Sequence, residues 1–152
     1  MQAILRDIDA GDLEVTQALV REYLQETPFF SRVPFSANET ADSFFKALSN
    51  HRAYVRIAYY REEVAGVFWG GIGTFFGTKV LFAYDTFCFI RSKFRGKKIA
   101  DILLNDFETW AISNGCEFVR FVACFSANND GVHKFLTNAG YKQSGTNLIK
   151  AL

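Results

Sequence analysis

The stretch "FCFIRSKFRGKKIADILL", residues 87–104, decides how this chain is read. It opens as an apolar run, passes five basic side chains in eight positions around Gly96, and then turns apolar with a helical period. A strand, a basic turn and a helix in that order put unpaired backbone N–H groups and the positive end of a helix dipole at the turn, which makes an anion site. Gly96 lacks a Cβ, so the backbone there can come close to a ligand. Arg95, Lys97 and Lys98 add positive charge. Three readings are open at this point: a solvated basic cap, a nucleic-acid patch, or a loop that holds a phosphate.

The flanking sequence supplies the frame. Residues 3–8 alternate weakly and lead through "DAGD" to a helix with Asp12 at its N-cap and Val15, Leu19, Val20, Tyr23 and Leu24 on one face, ended by Pro28. The aromatic connector "PFFSRVPF" follows, and Ser36 with Glu39 has capping-box spacing ahead of a second helix carrying Ala41, Phe44, Phe45 and Leu48. From His51 the period falls to two. "AYVRIAYY", "VAGVFWGGIGTFF" and "KVLFAYDTFCFI" read as antiparallel strands. After the basic turn, Ile99, Ile102, Leu103, Asp106 and Trp110 mark a helical stripe closed by Asn114-Gly115. "FVRFVACF" is a strand, Val132, Phe135, Leu136 and Ala139 form another helical face, and "YKQSGTNLIKAL" supplies one or two closing strands. The expectation is a mixed α/β (α+β) fold, one domain over residues 1–152, with helices on the faces of a sheet.

Composition narrows the function. Seventeen Lys and Arg against 16 Asp and Glu leave a net charge of +1, so no global field draws in a polyanion. The basic turn also lacks the aromatic platform of common RNA-binding folds, which sets a small RNA-binding domain behind the other readings. Acids in "MQAILRDIDAGD" do not suit a signal peptide, so the cytoplasm is the expected compartment. Cys88, Cys116 and Cys124 are odd in number with no C-x-x-C pair, and are read as reduced thiols without metal. The longest uncharged run, Val64 to Thr78, is broken by five glycines and is too short for a membrane helix, so no membrane partner is expected. "GGIGTFFGTK" is not a nucleotide loop, because Thr78 separates Gly77 from Lys79; its glycines suit a strand bend or bulge.

Three motifs in sequence order then resemble the GNAT superfamily of acyl-CoA-dependent N-acetyltransferases. "ILRDIDAGDL" is similar to that family's opening, "FCFIRSKFRGKKIADILL" to its strand, Q/R-x-x-G-x-G/A pyrophosphate loop and helix, and "NNDGVHKFLTNAGY" to its late helix. The resemblance implies a mostly antiparallel sheet with a central splayed strand pair. It implies acetyl-CoA as cosubstrate, with the pantetheine arm against Phe89 and Ile90 and the diphosphate held by Arg95, Gly96, Lys97, Lys98, Ile99 and Ala100. Asn129, or Asn128 in the other register, is implied as a further pantetheine contact. Lys93 falls at the Q/R position, and Lys98 stands where the family has its second glycine.

The partner implied is an amine-bearing small molecule or protein acceptor, bound by the first two helices, their connector and the late strands, to a monomer or homodimer. Aromatics Phe29, Phe30 and Phe35 with Arg32 in the connector are either a lid over the acceptor or core. Asp85 and Tyr84, in mid-strand, are the catalytic candidates, and alternation lets only one of them face the acceptor. The general acid departs from the family's pattern, since Leu136 falls where a Tyr is usual, leaving Cys124, Ser126 or Tyr141 as stand-ins. His133 points away from the apolar face and reads as a surface residue. That departure keeps a second reading in view, a GNAT-fold protein that binds acyl-CoA with little catalysis.

Overall fold

The computed structural model describes residues 2–122, 129–145 and 148–152, with the backbone alone at Asn129. The elements run β1 (Ile4–Asp7), α1 (Leu13–Glu26), α2 (Ala37–Ser49), β2 (Ala53–Tyr60), β3 (Glu63–Thr74), β4 (Leu81–Ile90), α3 (Ile99–Ser113), β5 (Phe118–Arg120) and α4 (Asn129–Asn138). The five strands form one sheet in the order β1-β2-β3-β4-β5. All neighbours are antiparallel except β4 and β5, which are parallel. This is the mixed, mostly antiparallel α/β architecture that the alternating segments led us to expect.

Helices cover both faces, which is why β3 is buried continuously from Ala65 to Gly71 instead of alternating. On one face Leu19 of α1 and Phe44 of α2 pack with Val55, Ile57, Val67, Trp69 and Phe89. On the other, Ile99, Leu103 and Phe107 of α3 and Val132 of α4 pack with Tyr54, Ala58, Phe68, Cys88 and Ile90. The buried stripe of α3 is therefore Ile99, Leu103, Leu104, Phe107 and Ala111. The sequence stripe shared its first and third members, while Asp106 lies at the margin and accepts the buried Tyr54 hydroxyl at 2.6 Å.

Local signals act largely as read. Ser36 Oγ accepts the Glu39 amide at 3.2 Å and starts α2. The residue before a proline disfavours the helical region, and Thr27, extended ahead of Pro28, ends α1. Asp12 stands at the N-cap of α1 without a capping hydrogen bond from its own side chain. Its carboxylate instead accepts both Arg6 terminal nitrogens, at 2.7 and 2.6 Å, and the Asp9 amide at 2.9 Å, tying β1 to the helix start. The closing strands expected from the tail are absent among the described residues, where 141–145 and 148–152 carry no strand. Leu148 and Leu152 there are almost fully exposed, and the half-buried residue of the tail's described part is Tyr141, packed on Phe121.

Candidate active site

Two irregularities in β4 build the site. The first is a register shift against β3: Phe87 pairs with Trp69 and Asp85 with Gly70, leaving Thr86 as the extra residue of a bulge. The bulge expected of the glycine-rich run is thus placed at Trp69–Gly70. Gly70 is required there, since a Cβ would lie 2.7 Å from the Tyr84 carbonyl and 2.8 Å from the Phe107 ring. The bulge lets Tyr84, Thr86 and Phe87 all line one cavity on the α1/α2 side, while Asp85 does not line it.

The second irregularity is the fork with β5. The parallel pairing spans only Phe82–Phe118, Ala83–Val119 and Tyr84–Arg120. At the next residue the buried Asp85 carboxylate accepts the Val122 amide at 2.7 Å, so a side chain takes the place of a ladder bond just past the last described pair. From Asp85 to Ile90, β4 has no β5 partner among the described residues. Beyond the fork the Arg91 amide donates to the Ala65 carbonyl, which fixes the phase of the ladder. By alternation the backbone groups of Phe89 face β3, and those of Ile90 face away from it, toward the opening. The Phe89 side chain is fully buried on the α1/α2 face.

Past the end of β4 lies a cavity of about 400 Å³, lined by Ile90, Phe94, Arg95, Gly96, Lys98, Ile99, Ala100 and the carboxylate-bearing Asp101, with Gly131, Val132 and Phe135 of α4 opposite. The turn is a 3₁₀ segment, Ser92–Phe94, followed by two left-handed residues: Gly96 at φ +77° and Lys98 at φ +60°. Lys98 thus adopts the conformation a glycine takes freely, at a cost of about 1–2 kcal/mol. It is the N-cap of α3 and makes no side-chain cap bond. The Ile102 amide is bonded to the Lys98 carbonyl, so the amides of Ile99, Ala100 and Asp101 precede the first rung of the helix. An uncapped helix start at a concave surface is a place for an anion.

The charges of the turn are divided. Arg91 binds Glu22 of α1 through Nε (2.9 Å) and a terminal nitrogen (2.8 Å) and also reaches the Val64 carbonyl. Arg95 pairs with Glu26 one turn along α1, and its Nε donates to the Ile90 carbonyl at 3.1 Å. Lys93 pairs with Glu63. Lys97 and Lys98, both exposed, are in no ion pair among the described residues. Much of the basic run therefore fastens the turn to α1 and β3, and the cavity keeps helix-start backbone, Lys98 and the Glu26-paired Arg95 on its lining, with Lys97 beside it.

The second cavity, about 550 Å³, lies between α1, α2 and the bulged strands and is lined by Val20, Tyr23, Leu24, Glu39, Ser43, Lys46, Trp69, Gly70, Gly71, Tyr84, Thr86 and Phe87 among others. Gly71 makes room for Tyr84, whose hydroxyl would be 3.0 Å from a Cβ there. That hydroxyl has no hydrogen-bond partner among the described residues. The connector aromatics do not line the cavity; Phe30 packs on Tyr23 and Phe29, and Phe35 lies under Arg21. They act as packing, the bland half of the two sequence readings.

Of the residues singled out from sequence, Ile90, Arg95, Gly96, Lys98, Ile99 and Ala100 meet in one cavity and Tyr84 lines the other. Lys97 sits exposed beside the first and does not line it. Asn129 opens α4, and Asn128, Cys124 and Ser126 lie outside the described residues. Tyr141 meets neither cavity: its hydroxyl donates to Glu108 at 2.7 Å, and burial, helped by this carboxylate contact, raises its pKa. His133 is exposed and Leu136 is half-buried against the α3-side core. Sequence reasoning missed Val132 and Phe135 as cradle walls, although their helical spacing was noted, and missed Trp69, Phe87, Glu39 and Lys46, which lie on three separate elements. Among the described residues no group of His, Cys, Asp or Glu is gathered to hold a metal, and no helix is long and apolar enough to cross a membrane.

A family model of the acetyltransferase (GNAT) family matches residues 16–141. The chain belongs to the GNAT family. No curated protein matches the sequence significantly. Solved structures share the GNAT fold at low identity. A transcriptional regulator from Bacillus halodurans C-125 superposes with a TM-score of 0.78 at 16% identity, covering 99% of this chain and 100% of that one. AAC(6')-Iy in complex with the bisubstrate analogue CoA-S-monomethyl-acetylneamine gives 0.78 at 14% identity over 100% and 99%. Glucosamine-6-phosphate N-acetyltransferase from Arabidopsis thaliana gives 0.74 at 15% over 99% of each.

Proposed function

We propose that this GNAT protein transfers an acetyl group from acetyl-CoA to a primary amine, both bound at once. The observation that carries the reading is the uncapped start of α3, with its left-handed Gly96 and Lys98, opening onto the cavity past the end of β4. Its donors suit a diphosphate: amides of Ile99, Ala100 and Asp101, and the ammonium groups of Lys97 and Lys98. The outward amide of Ile90, whose carbonyl already accepts Arg95 Nε, suits one hydrogen bond to an amide-bearing arm at the end of β4. Acetyl-CoA brings an activated thioester, so the chain has only to place an amine, relieve it of a proton and exclude competing water. Deprotonating an ordinary alkylamine at pH 7 costs about 4–5 kcal/mol.

Of the two β4 candidates, we assign the acceptor to Tyr84 and the fork to Asp85. The Tyr84 hydroxyl lines the α1/α2-side cavity and is placed to hold the amine and pass its proton to solvent. Asp85 holds the Val122 amide and keeps the strands apart. The reaction is assigned to the cytoplasm, in keeping with the thiols read as reduced.

Calorimetry with acetyl-CoA and an acetyl-transfer assay over a panel of amines test the reading together. We expect binding in the micromolar range, and a fall in turnover of about 10²-fold in Tyr84→Phe with cofactor affinity retained. Absence of acetyl-CoA binding overturns the proposal. A second reading, cofactor binding without efficient transfer, is favoured by Leu136 and by Tyr141 being held by Glu108. Binding with no transfer to any amine of the panel would select it.

A further inference from the structure

The face of the sheet that carries Tyr84 continues past the α1/α2-side cavity onto β5. Residues two apart on a strand share a face, and so do paired residues of neighbouring strands, which puts Phe82 and Tyr84 of β4 with Phe118 and Arg120 of β5. The stacking of Phe82 on Phe118, with centroids 5.2 Å apart, agrees with that placement. Phe118, Arg120 and Val122 are exposed there. The Phe82 and Tyr84 rings lie over β3, where a Cβ at Gly73 would come 3.1 Å from the first and 3.4 Å from the second. Arg120 reaches across from β5 to the same rings. Its guanidinium carbon is 4.8 Å from the Phe82 centroid, and that centroid is 5.8 Å from the Tyr84 ring, so the charge stands no farther from Tyr84 than the sum of those two spans.

What this cation lacks is a counter-ion. Arg120 is in no ion pair among the described residues. Contact with a ring steadies a guanidinium without using its N–H donors, and those of Arg120 stay open to a ligand. A second observation comes from α2: Lys46, on the lining of the cavity that Tyr84 shares, is also in no ion pair among the described residues. Against these two cations the cavity lining carries one carboxylate, Glu39, which is exposed. Asp85, the neighbour of Tyr84, does not line the cavity and holds the Val122 amide. A field of this sign favours an anion beside the reacting amine and disfavours a polycation. We infer that the acceptor is a monoamine bearing an anionic group, a carboxylate or a phosphate, and that Arg120 takes this group while the amine lies toward Tyr84. The inference rests on the acetyltransferase reading and deepens it. Arg120 sets specificity and takes no part in the chemistry.

Two matched sets of amines test it: butylamine, 4-aminobutyrate and 1,4-diaminobutane, which differ at the far end, and ethanolamine with O-phosphoethanolamine. Acetyl-CoA binding is measured on the same preparation. For the wild-type protein we expect kcat/KM of an anion-bearing amine to exceed that of its neutral-ended counterpart about fivefold, carried by KM, with 1,4-diaminobutane poorest in its set. The set that shows the larger ratio tells carboxylate from phosphate. In Arg120→Gln the ratio should fall to near one, with kcat and the neutral-ended amines unchanged. A structural role for Arg120 would lower charged and neutral-ended amines alike. That result overturns the inference, as does a wild-type ratio near one in both sets, a ratio that survives Arg120→Gln, or preference for 1,4-diaminobutane. If Arg120→Gln does not fold, the wild-type ratio decides in rising salt: it should shrink by about 0.5 M NaCl, and a salt-independent ratio overturns the inference. Transfer to other amines with none to these five rejects this inference only, whereas absence of acetyl-CoA binding, or of transfer to any amine, rejects the function it rests on.

Discussion

The two cavities on either side of the β4 irregularities are built by different means. The cradle at the start of α3 is mostly backbone: two left-handed residues and a run of helix-start amides, with Arg91 turned away to Glu22 and Arg95 on the lining but paired with Glu26. The cavity beneath α1 and α2 is mostly side chain, with rings from α1, β3 and β4 on its lining. A diphosphate can be held by any sequence that places those amides correctly, provided that a glycine or a tolerated left-handed residue lets them converge. An acceptor must instead be recognised by the residues that line the α1/α2-side cavity. On the proposed function one region carries the reaction class and the other the choice of acceptor, and variants in each should fail differently.

The sharpest break between the two is expected from Ala100→Glu. A carboxylate in the first turn of α3 suits the helix dipole, so folding should hold within about 2 °C, but it places like charge in the cradle. Acetyl-CoA affinity by calorimetry should weaken about 100-fold. Affinity near wild type would mean that the cofactor lies elsewhere.

Asp12→Ala should show the reverse, loss of frame without loss of cradle. Asp12 is buried and bound by Arg6, so its removal should cost about 2–3 kcal/mol, or about 5–10 °C in Tm, with acetyl-CoA affinity nearly unchanged on the folded protein. The hydrogen bonds from Arg6 hold the Asp12 carboxyl below the usual aspartate range, against burial. A depressed folded pKa gives stability that is complete above the ordinary value of about 3.9 and is lost as pH falls through the lower folded value. Thermal melts of the variant should accordingly be flatter than wild type on the acid side. Parallel curves would remove Asp12 from that role.

The smallest effect is expected at Lys98→Gly. Relief of the left-handed strain is offset in part by the freedom of glycine in the unfolded chain, leaving a gain of about 0.5–1 kcal/mol and about 1–3 °C in Tm. Affinity for acetyl-CoA should fall only slightly, because the ammonium is exposed and its contribution is screened. A destabilised variant would show that the lysine stem packs in the cradle.

The same contrast explains what the sequence made legible. One wall of the cradle lies on a contiguous stretch, residues 90–101, whose period changes once and whose glycine marks the turn, so Ile90, Gly96, Ile99 and Ala100 could be named from it, while the α4 wall could not. The charges there misled, because the carboxylates that neutralise Arg91 and Arg95 stand about seventy residues away on α1 and no local pattern announces them. The α1/α2-side cavity is an assembly of distant positions. Nothing in "VFWGG" distinguishes Trp69 from an ordinary core residue until the bulge at Thr86 sets Tyr84 and Phe87 beside it. Alternation did show that Tyr84 and Asp85 part ways, while the hydrogen bond from Val122 to Asp85 depends on a strand more than thirty residues on. The closing strands were read for the tail "YKQSGTNLIKAL", in which nothing names the partner that makes a strand.

The most direct test is a ¹H–¹⁵N titration of the protein with acetyl-CoA, repeated with inorganic pyrophosphate. The account predicts that the amides of Gly96, Lys98, Ile99, Ala100 and Asp101 shift first and furthest with both ligands, and that pyrophosphate leaves Trp69 and Tyr84 unmoved. Saturable binding with these five amides unperturbed, or their protection from exchange in the free protein, would contradict it.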